Sequence, residues 1–274
     1  HDAILAFEGF ISPTAAERRM RVSLISGIIN TVQTLWPEAM VIPFGSFISG
    51  LFLPNRYAPI TFALAALLIE HQLFVNQLLC SDIDIVVIGA PSHDPIHDLA
   101  RVLRNQQPAP KMTLITRARV PLIKLVDRPT GCQIDISFNV PNGPENTKLV
   151  RHFLQMYHQI RPLALVIKFF LAQRQLNEVY TGGIGSYAIL LLLISLLQVC
   201  FGSLSPSLPL RINVLKDRCE YQQRKGQTDD LGQLLLEFFD FYGRHFNYYN
   251  VGISVRDGGS YYIKVGALSQ TTNI

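Results

Sequence analysis

Residues 179–210 contain no Asp, Glu, Lys or Arg, and within them residues 184–201 are almost wholly apolar. Such a stretch cannot face water along its whole surface. It dictates either a helix buried on most sides or a membrane span. Its 18 residues reach the lower edge of what a bilayer needs. No basic flank or aromatic belt brackets it, as a membrane anchor would require. Gly182, Gly183, Gly185 and Ser186 crowd its start and suit a helix N-terminus. The expectation is a helix inside a large core, with no membrane association. A chain of 274 residues, 49% hydrophobic and 16% charged, supplies such a core in one large domain or two small ones.

The net charge of +4 is compatible with nucleic acid or anionic substrates and demonstrates neither. Cys80, Cys132, Cys200 and Cys219 are scattered and form no CxxC pair. They read as reduced or buried thiols of an intracellular protein, not as a zinc site or a disulfide framework. The first residue is His1, so a fragment or a processed chain is expected, with any targeting signal upstream.

Along the chain, Thr14 and Glu17 have capping-box spacing, and apolar residues then recur at helical intervals until Pro37. Short β-prone runs follow at 40–44, 83–88, 112–116, 119–126 and 132–138, with a short helix at 98–105. From Thr147 onward the period is helical: 149–156, 163–171, the apolar run, and a last helix at about 229–242. A polar loop at 203–226 separates the last two. Asp257-Gly258-Gly259 marks a hairpin in the tail. The chain therefore reads as one helix, a small α/β segment of about 100 residues, and a mostly helical segment.

Asp82-Ile83-Asp84 opens the most β-prone run. Side chains alternate across a strand, so both carboxylates share one face while Ile83 and Ile85 take the other. Asp135 lies in Gln133-Ile134-Asp135-Ile136-Ser137-Phe138, flanked by apolar residues. If these strands are neighbours, three acids converge on one sheet face. Their repulsion is relieved by divalent cations, and hard oxygen ligands suit Mg²⁺ or Mn²⁺. Two such ions clamp the attacking and leaving oxygens of an in-line phosphoryl transfer. The plainer reading is three surface acids at strand ends, since a lone DxD is weak. The third acid inside an apolar strand shifts the balance.

Phe44-Gly45-Ser46 follows a β-prone run and can open a helix. Gly45 permits close backbone approach, and the amides and the Ser46 hydroxyl can bond phosphate oxygens. Alone, a Gly-Ser pair is an ordinary turn. Combined with DxD and a later strand Asp it completes the order GS, DxD, D.

That order is the signature of the polymerase-β-like nucleotidyltransferases, and longer blocks narrow it. Pro43-Phe44-Gly45-Ser46-Phe47-Ile48-Ser49-Gly50-Leu51-Phe52-Leu53-Pro54 and Ser81-Asp82-Ile83-Asp84-Ile85-Val86-Val87 resemble the Trf branch of terminal nucleotidyltransferases, the poly(A) RNA polymerases with a PAP-associated domain. Ala118-Arg119-Val120-Pro121-Leu122-Ile123-Lys124, Asp135-Ile136-Ser137-Phe138-Asn139-Val140, residues 176–187 and residues 238–248 are similar to the same branch. The resemblance implies an α+β fold: a nucleotidyltransferase domain at 40–143, built on a mixed sheet with flanking helices, and a mostly helical central domain from 1–39 and 144–274.

The resemblance further implies template-independent addition of adenylates from ATP to RNA 3′ ends, in RNA processing, surveillance or turnover. Asp82, Asp84 and Asp135 would bind two Mg²⁺ or Mn²⁺ ions, with Asp135 nearest the attacking 3′-hydroxyl. Gly45 and Ser46 would hold the triphosphate, Asn146 and Thr147 the ribose, and Lys168 and Ser186 further phosphate oxygens. Tyr187 would stack on the base. By spacing alone Lys168 reads as a snorkelling lysine on a buried helix, and Tyr187 equally well as a core aromatic. Arg101, Arg104, Lys111, Arg117 and Arg119 would track RNA phosphates or form a solvated basic face. An RNA-binding partner protein, as in TRAMP-type complexes, and a nuclear setting, nucleolus included, belong to the same implication.

Two departures keep other readings open. Residues 55–80 intervene where relatives pass almost directly from the GS segment to the DxD strand; their spacing predicts an apolar helix at about 61–79. The chain is also expected to lack the end of the central domain, with its nucleotide-recognition loop. Uridylyl transfer, or a catalytically impaired regulatory product, are the alternatives.

Overall fold

The computed structural model describes residues 1–54, 81–91, 93–106, 108–201 and 229–264. The predicted helix at 61–79 and the polar loop at 203–226 lie outside the described residues. The chain divides into two compact units, Ile11–His152 and His1–Phe10 with Phe153–Ile274. Residues 11–39 and 144–152, assigned to the helical domain from sequence, thus group with the sheet.

In the first unit, α2 (Ala15–Leu35) starts where the capping box predicts, the Thr14 hydroxyl accepting from the Glu17 amide at 3.3 Å. Five strands follow: β1 (Met40–Phe44), β2 (Ile83–Ile88), β3 (Lys111–Ile115), β4 (Leu122–Val126) and β5 (Gln133–Phe138). They form one sheet in the order β1-β2-β5-β4-β3. The β2–β5 pair is parallel and the other three are antiparallel, so the sheet is mixed, as expected. The short α3 (Gly45–Ser49) links out of β1, and α4 (Pro95–Arg104) lies between β2 and β3, capped by Asp94. α5 (Asn142–Met156) begins five residues before the helical period was read, because Pro144 sits in the first turn, where a missing N–H costs nothing.

Period-two alternation decides which face is buried. Ile83, Ile85, Ile123, Leu125, Ile134 and Ile136 are all at most 4% exposed and share one core with Ile25, Ile28, Val32 and Trp36 of α2 and its C-cap, and with Leu99 and Leu103 of α4. Burying each such side chain contributes about 1.5–3 kcal/mol. The opposite face carries the polar residues that alternate with them.

The second unit contains α1 (Asp2–Ile11) up to Phe10, α6 (Ile160–Gln173), α7 (Ser186–Phe201), α8 (Leu231–Asp240) and the hairpin of β6 (Val251–Ser254) and β7 (Ser260–Ile263). The apolar run is α7, buried on most sides. Two of its central polar residues reach partners inside the unit: Ser195 Oγ bonds the Tyr261 hydroxyl at 2.6 Å, and Gln198 Nε2 donates to the Val255 carbonyl at 2.9 Å, while Gln198 Oε1 is buried and accepts no hydrogen bond. Among the described residues no helix is long and apolar enough to cross a membrane. The hairpin turns at Asp257, Gly258 and Gly259, all with positive φ, as read from the sequence. Cys132 is a buried free thiol, whereas Cys200 is disulfide-bonded, which corrects the reading of all four cysteines as thiols.

Candidate active site

The polar face of the sheet carries one continuous cross-strand row. Phe44 lies opposite Asp84, Asp84 opposite Asp135, Asp135 opposite Lys124, and Lys124 opposite Thr113. The order of the strands brings this about: β2 and β5 are distant in sequence but adjacent in the sheet, so the second acid of the DxD and the later strand Asp become direct neighbours. Asp82 lies just before β2, its side chain 30% exposed.

Lys124 joins two of the acids. Its Nζ is 3.0 Å from Asp135 Oδ2 and 3.7 Å from Asp82 Oδ2. The sequence led us to expect three acids converging unpaired. Instead a lysine from the neighbouring strand stands between two of them, and with it in place no group of three His, Cys, Asp or Glu among the described residues is ready-made to hold a metal ion. An ammonium at hydrogen-bond distance offsets part of the repulsion between the two carboxylates it joins.

Asp135, its side chain 19% exposed, is more enclosed than Asp82. Burial pushes its carboxyl above the usual range, and the Lys124 ammonium counteracts this in part. Its Oδ1 is buried and accepts no hydrogen bond. A carboxylate oxygen with no donor, on a face otherwise furnished with hard oxygens, is the vacancy in bonding that a divalent cation satisfies.

The turn from β1 into α3 presses on this row. Gly45 has a φ of +69°, and a Cβ there would lie 2.4 Å from Asp84 Oδ2. Only glycine permits that approach. The Gly45 amide donates to Thr147 Oγ1 at 2.8 Å, and the Thr147 hydroxyl donates in turn to the Gly143 carbonyl at 2.9 Å. Gly143 itself is packed against the Phe44 ring, which a Cβ would meet at 2.5 Å. Thr147 is 7% exposed, so α5 holds the turn rigidly. Gly45, Thr147, Asp84 and Asp135 are thus brought together; Asn146 sits beside Thr147 on α5, and Ser46 opens α3. Lys124 and this anchoring use of Thr147 escaped the sequence reading. A Lys inside the apolar run 122–126 was the available signal for the first.

Lys168, Ser186 and Tyr187 belong to the second unit. Lys168 on α6 is 5% exposed. Ser186 is the first residue of α7, and Tyr187, 37% exposed, follows it. Arg101, Arg104, Lys111, Arg117 and Arg119 are all exposed in the first unit, with Arg101 paired to Asp98 at 3.4 Å.

Comparison with known proteins bears on this geometry. Residues 69–155 match the family described as poly(A) RNA polymerase, mitochondrial-like, central palm domain, and residues 230–273 match the Cid1 family poly A polymerase. The poly(A) RNA polymerase CID14 of Cryptococcus neoformans var. neoformans is 36% identical over 96% of this chain and 30% of its own length. The cid14 enzyme of Schizosaccharomyces pombe is 36% identical over 96% and 33%. The solved polymerase core of TRAMP, an RNA surveillance complex, is 32% identical with a TM-score of 0.69, covering 95% of this chain and 69% of that one. The chain belongs to the Trf-type poly(A) RNA polymerases. Its mixed sheet is the polymerase-β-like nucleotidyltransferase fold of that family. This Trf-type chain spans about a third of the length of the two fungal relatives.

Proposed function

We propose that this Trf-type chain transfers nucleotides, adenylates from ATP, to the 3′ ends of RNA in a metal-dependent reaction serving RNA processing, surveillance or turnover. The observation that carries this is the row Asp84–Asp135 with Gly45 pressed against it, in a chain 32% identical to an RNA-surveillance polymerase core. Asp82, Asp84 and Asp135 would hold Mg²⁺ or Mn²⁺, and the orphaned Asp135 Oδ1 fits that use. When bound, two such ions lower the charge barrier of an in-line displacement at phosphorus. The protein's own part is positional. Thr147 fixes the Gly45 turn through its amide, leaving the Ser46 hydroxyl to meet phosphate oxygens. By the family resemblance Asp135 would lie nearest the attacking 3′-hydroxyl. Lys168, Ser186, Asn146 and Tyr187 are assigned to the nucleotide on the strength of the family resemblance. An RNA-binding partner, by analogy with TRAMP, and a nuclear setting complete the reading.

The test is incubation of the chain with a labelled RNA oligonucleotide, Mg²⁺ and each nucleoside triphosphate separately. Extension with ATP is expected. Extension with UTP alone makes it a uridylyltransferase, and no extension with any nucleotide overturns the reading. In the same assay Asp82→Ala combined with Asp84→Ala should abolish extension while the thermal melt is retained.

A further inference from the structure

Lys124 has no part in the nucleotide contacts assigned above, yet it occupies the centre of the carboxylate face. Its Nζ lies at 3.0 Å from Asp135 Oδ2 and 3.7 Å from Asp82 Oδ2, with the side chain 41% exposed. It reaches there from β4 because Lys124 and Asp135 are register partners in the antiparallel β4–β5 pair, while Ile123 and Leu125 bury their side chains on the far face. A lysine ammonium is a compact point charge on a flexible stem. It can lie between two carboxylates and swing outward without moving the backbone. The Asp135 oxygen it does not touch, Oδ1, accepts no hydrogen bond. One oxygen of Asp135 is therefore neutralised by an internal cation, and the other is left without any donor.

We propose that Lys124 is a resident counter-ion: it holds the carboxylates of Asp82 and Asp135 in place in the metal-free protein and is displaced when divalent cations enter. This rests on the metal-dependent reading above. Two cations competing for the same carboxylates are negatively coupled, and the coupling is reciprocal. The lysine weakens metal binding, and the metal expels the lysine. In exchange, the metal-free site is spared the repulsion of three adjacent carboxylates. A lysine acting only as a structural tie has a different signature, since its loss lowers stability without strengthening metal binding.

The experiment measures Mn²⁺ binding to the whole chain, without nucleotide or RNA, by the electron paramagnetic resonance signal of free Mn²⁺. Lys124→Met should bind the first Mn²⁺ more tightly than the parent, by about 5- to 150-fold, the usual span of coupling between sites. Lys124→Arg, which restores a cation, should return toward the parent. Equal or weaker binding by Lys124→Met overturns the counter-ion role while leaving the metal-dependent reading intact. Absence of Mn²⁺ binding in parent and variant alike overturns that reading and this one with it. A second measurement uses the unmodified chain, so it stands even if Lys124→Met fails to fold. Labelling of Lys124 by an amine-reactive acylating reagent, read by mass spectrometry, should rise several-fold on adding Mg²⁺. Unchanged labelling in chain that binds Mn²⁺ overturns the proposal.

Discussion

The Leu53 amide donates to Ser81 Oγ at 2.9 Å, and the Ser81 amide donates back to the Leu53 carbonyl at 3.1 Å. Two residues 28 positions apart are thereby held as closely as the ends of a β-turn. Arg21, fully buried, reinforces the junction: its Nη1 donates to the Ser81 carbonyl at 2.8 Å and its guanidinium lies 4.6 Å from the centre of the Phe52 ring. The two edges of the 55–80 stretch are therefore fastened together one residue before the first catalytic candidate, Asp82.

Deleting residues 56–80 should accordingly preserve the fold. The deletion leaves Leu53-Pro54-Asn55-Ser81, with Pro and Asn at the two central positions that a β-turn favours, and its closing bond already exists. Loop closure across a long stretch costs only slightly more than across a short one, so the melting temperature should be equal or higher. We expect an extension rate at least equal to that of the full chain, and better solubility. A slower shortened chain would make 55–80 a working element.

Asp135→Asn should abolish extension and make the protein more tolerant of rising pH. The sign follows from linkage. The folded carboxyl titrates above its unfolded value, so the folded state binds more protons, and stability falls as pH rises from the unfolded pKa, about 3.9, through the folded one. The amide has no such dependence. Melting curves of parent and variant between pH 4 and 7 should diverge in the variant's favour as pH rises. Parallel curves would mean that burial of Asp135 carries no charge penalty.

Gly45→Ala should damage activity more than stability. An alanine at a φ of +69° costs about 1–2 kcal/mol. Its Cβ would also collide with Asp84 Oδ2 at 2.4 Å and push that carboxylate off the row. Urea denaturation gives the first effect and the extension rate the second. Activity lost only in proportion to the folded fraction would contradict it.

Thr147→Val keeps the shape of the side chain and removes the hydroxyl that receives the Gly45 amide and bonds the Gly143 carbonyl. Leaving the part-buried Gly45 amide without its acceptor costs up to about 1–3 kcal/mol. The looser turn should raise KM for ATP, and Thr147→Ser should restore both. If valine alters KM with no loss of stability, Thr147 touches the ribose and does not act through the turn.

Local signals were the legible part of this chain. The Thr14–Glu17 cap, the alternation of Ile83-Asp84-Ile85 and the apolar period of α7 each declare their structure within a few residues. α1 was missed because it has no capping residue at its start, only His1. β4 proved shorter than read, since Pro121 precedes it and cannot donate to the sheet ladder. What sequence could not give was register. Lys124 meets Asp135 only because β4 and β5 pair at that offset, and Thr147 meets Gly45 across 102 residues. Such meetings are set by packing of the whole unit, and no window of the sequence contains them.

The parallel pairing of β2 with β5 also orders events at the ribosome. β3 and β4 are consecutive strands and can pair as soon as both emerge. The bond from Ser137 to the Ile85 carbonyl spans 52 residues, and that from the Gly45 amide to Thr147 spans 102. Distant pairings of this kind close late, after local ones have reduced the chain's freedom. Asp84 therefore leaves the exit tunnel well before the strand that will face it, and the Gly45 turn has no anchor until α5 has followed. A nascent chain thus carries both acids of the DxD motif before the row they belong to exists, and that row closes only with the synthesis of its middle.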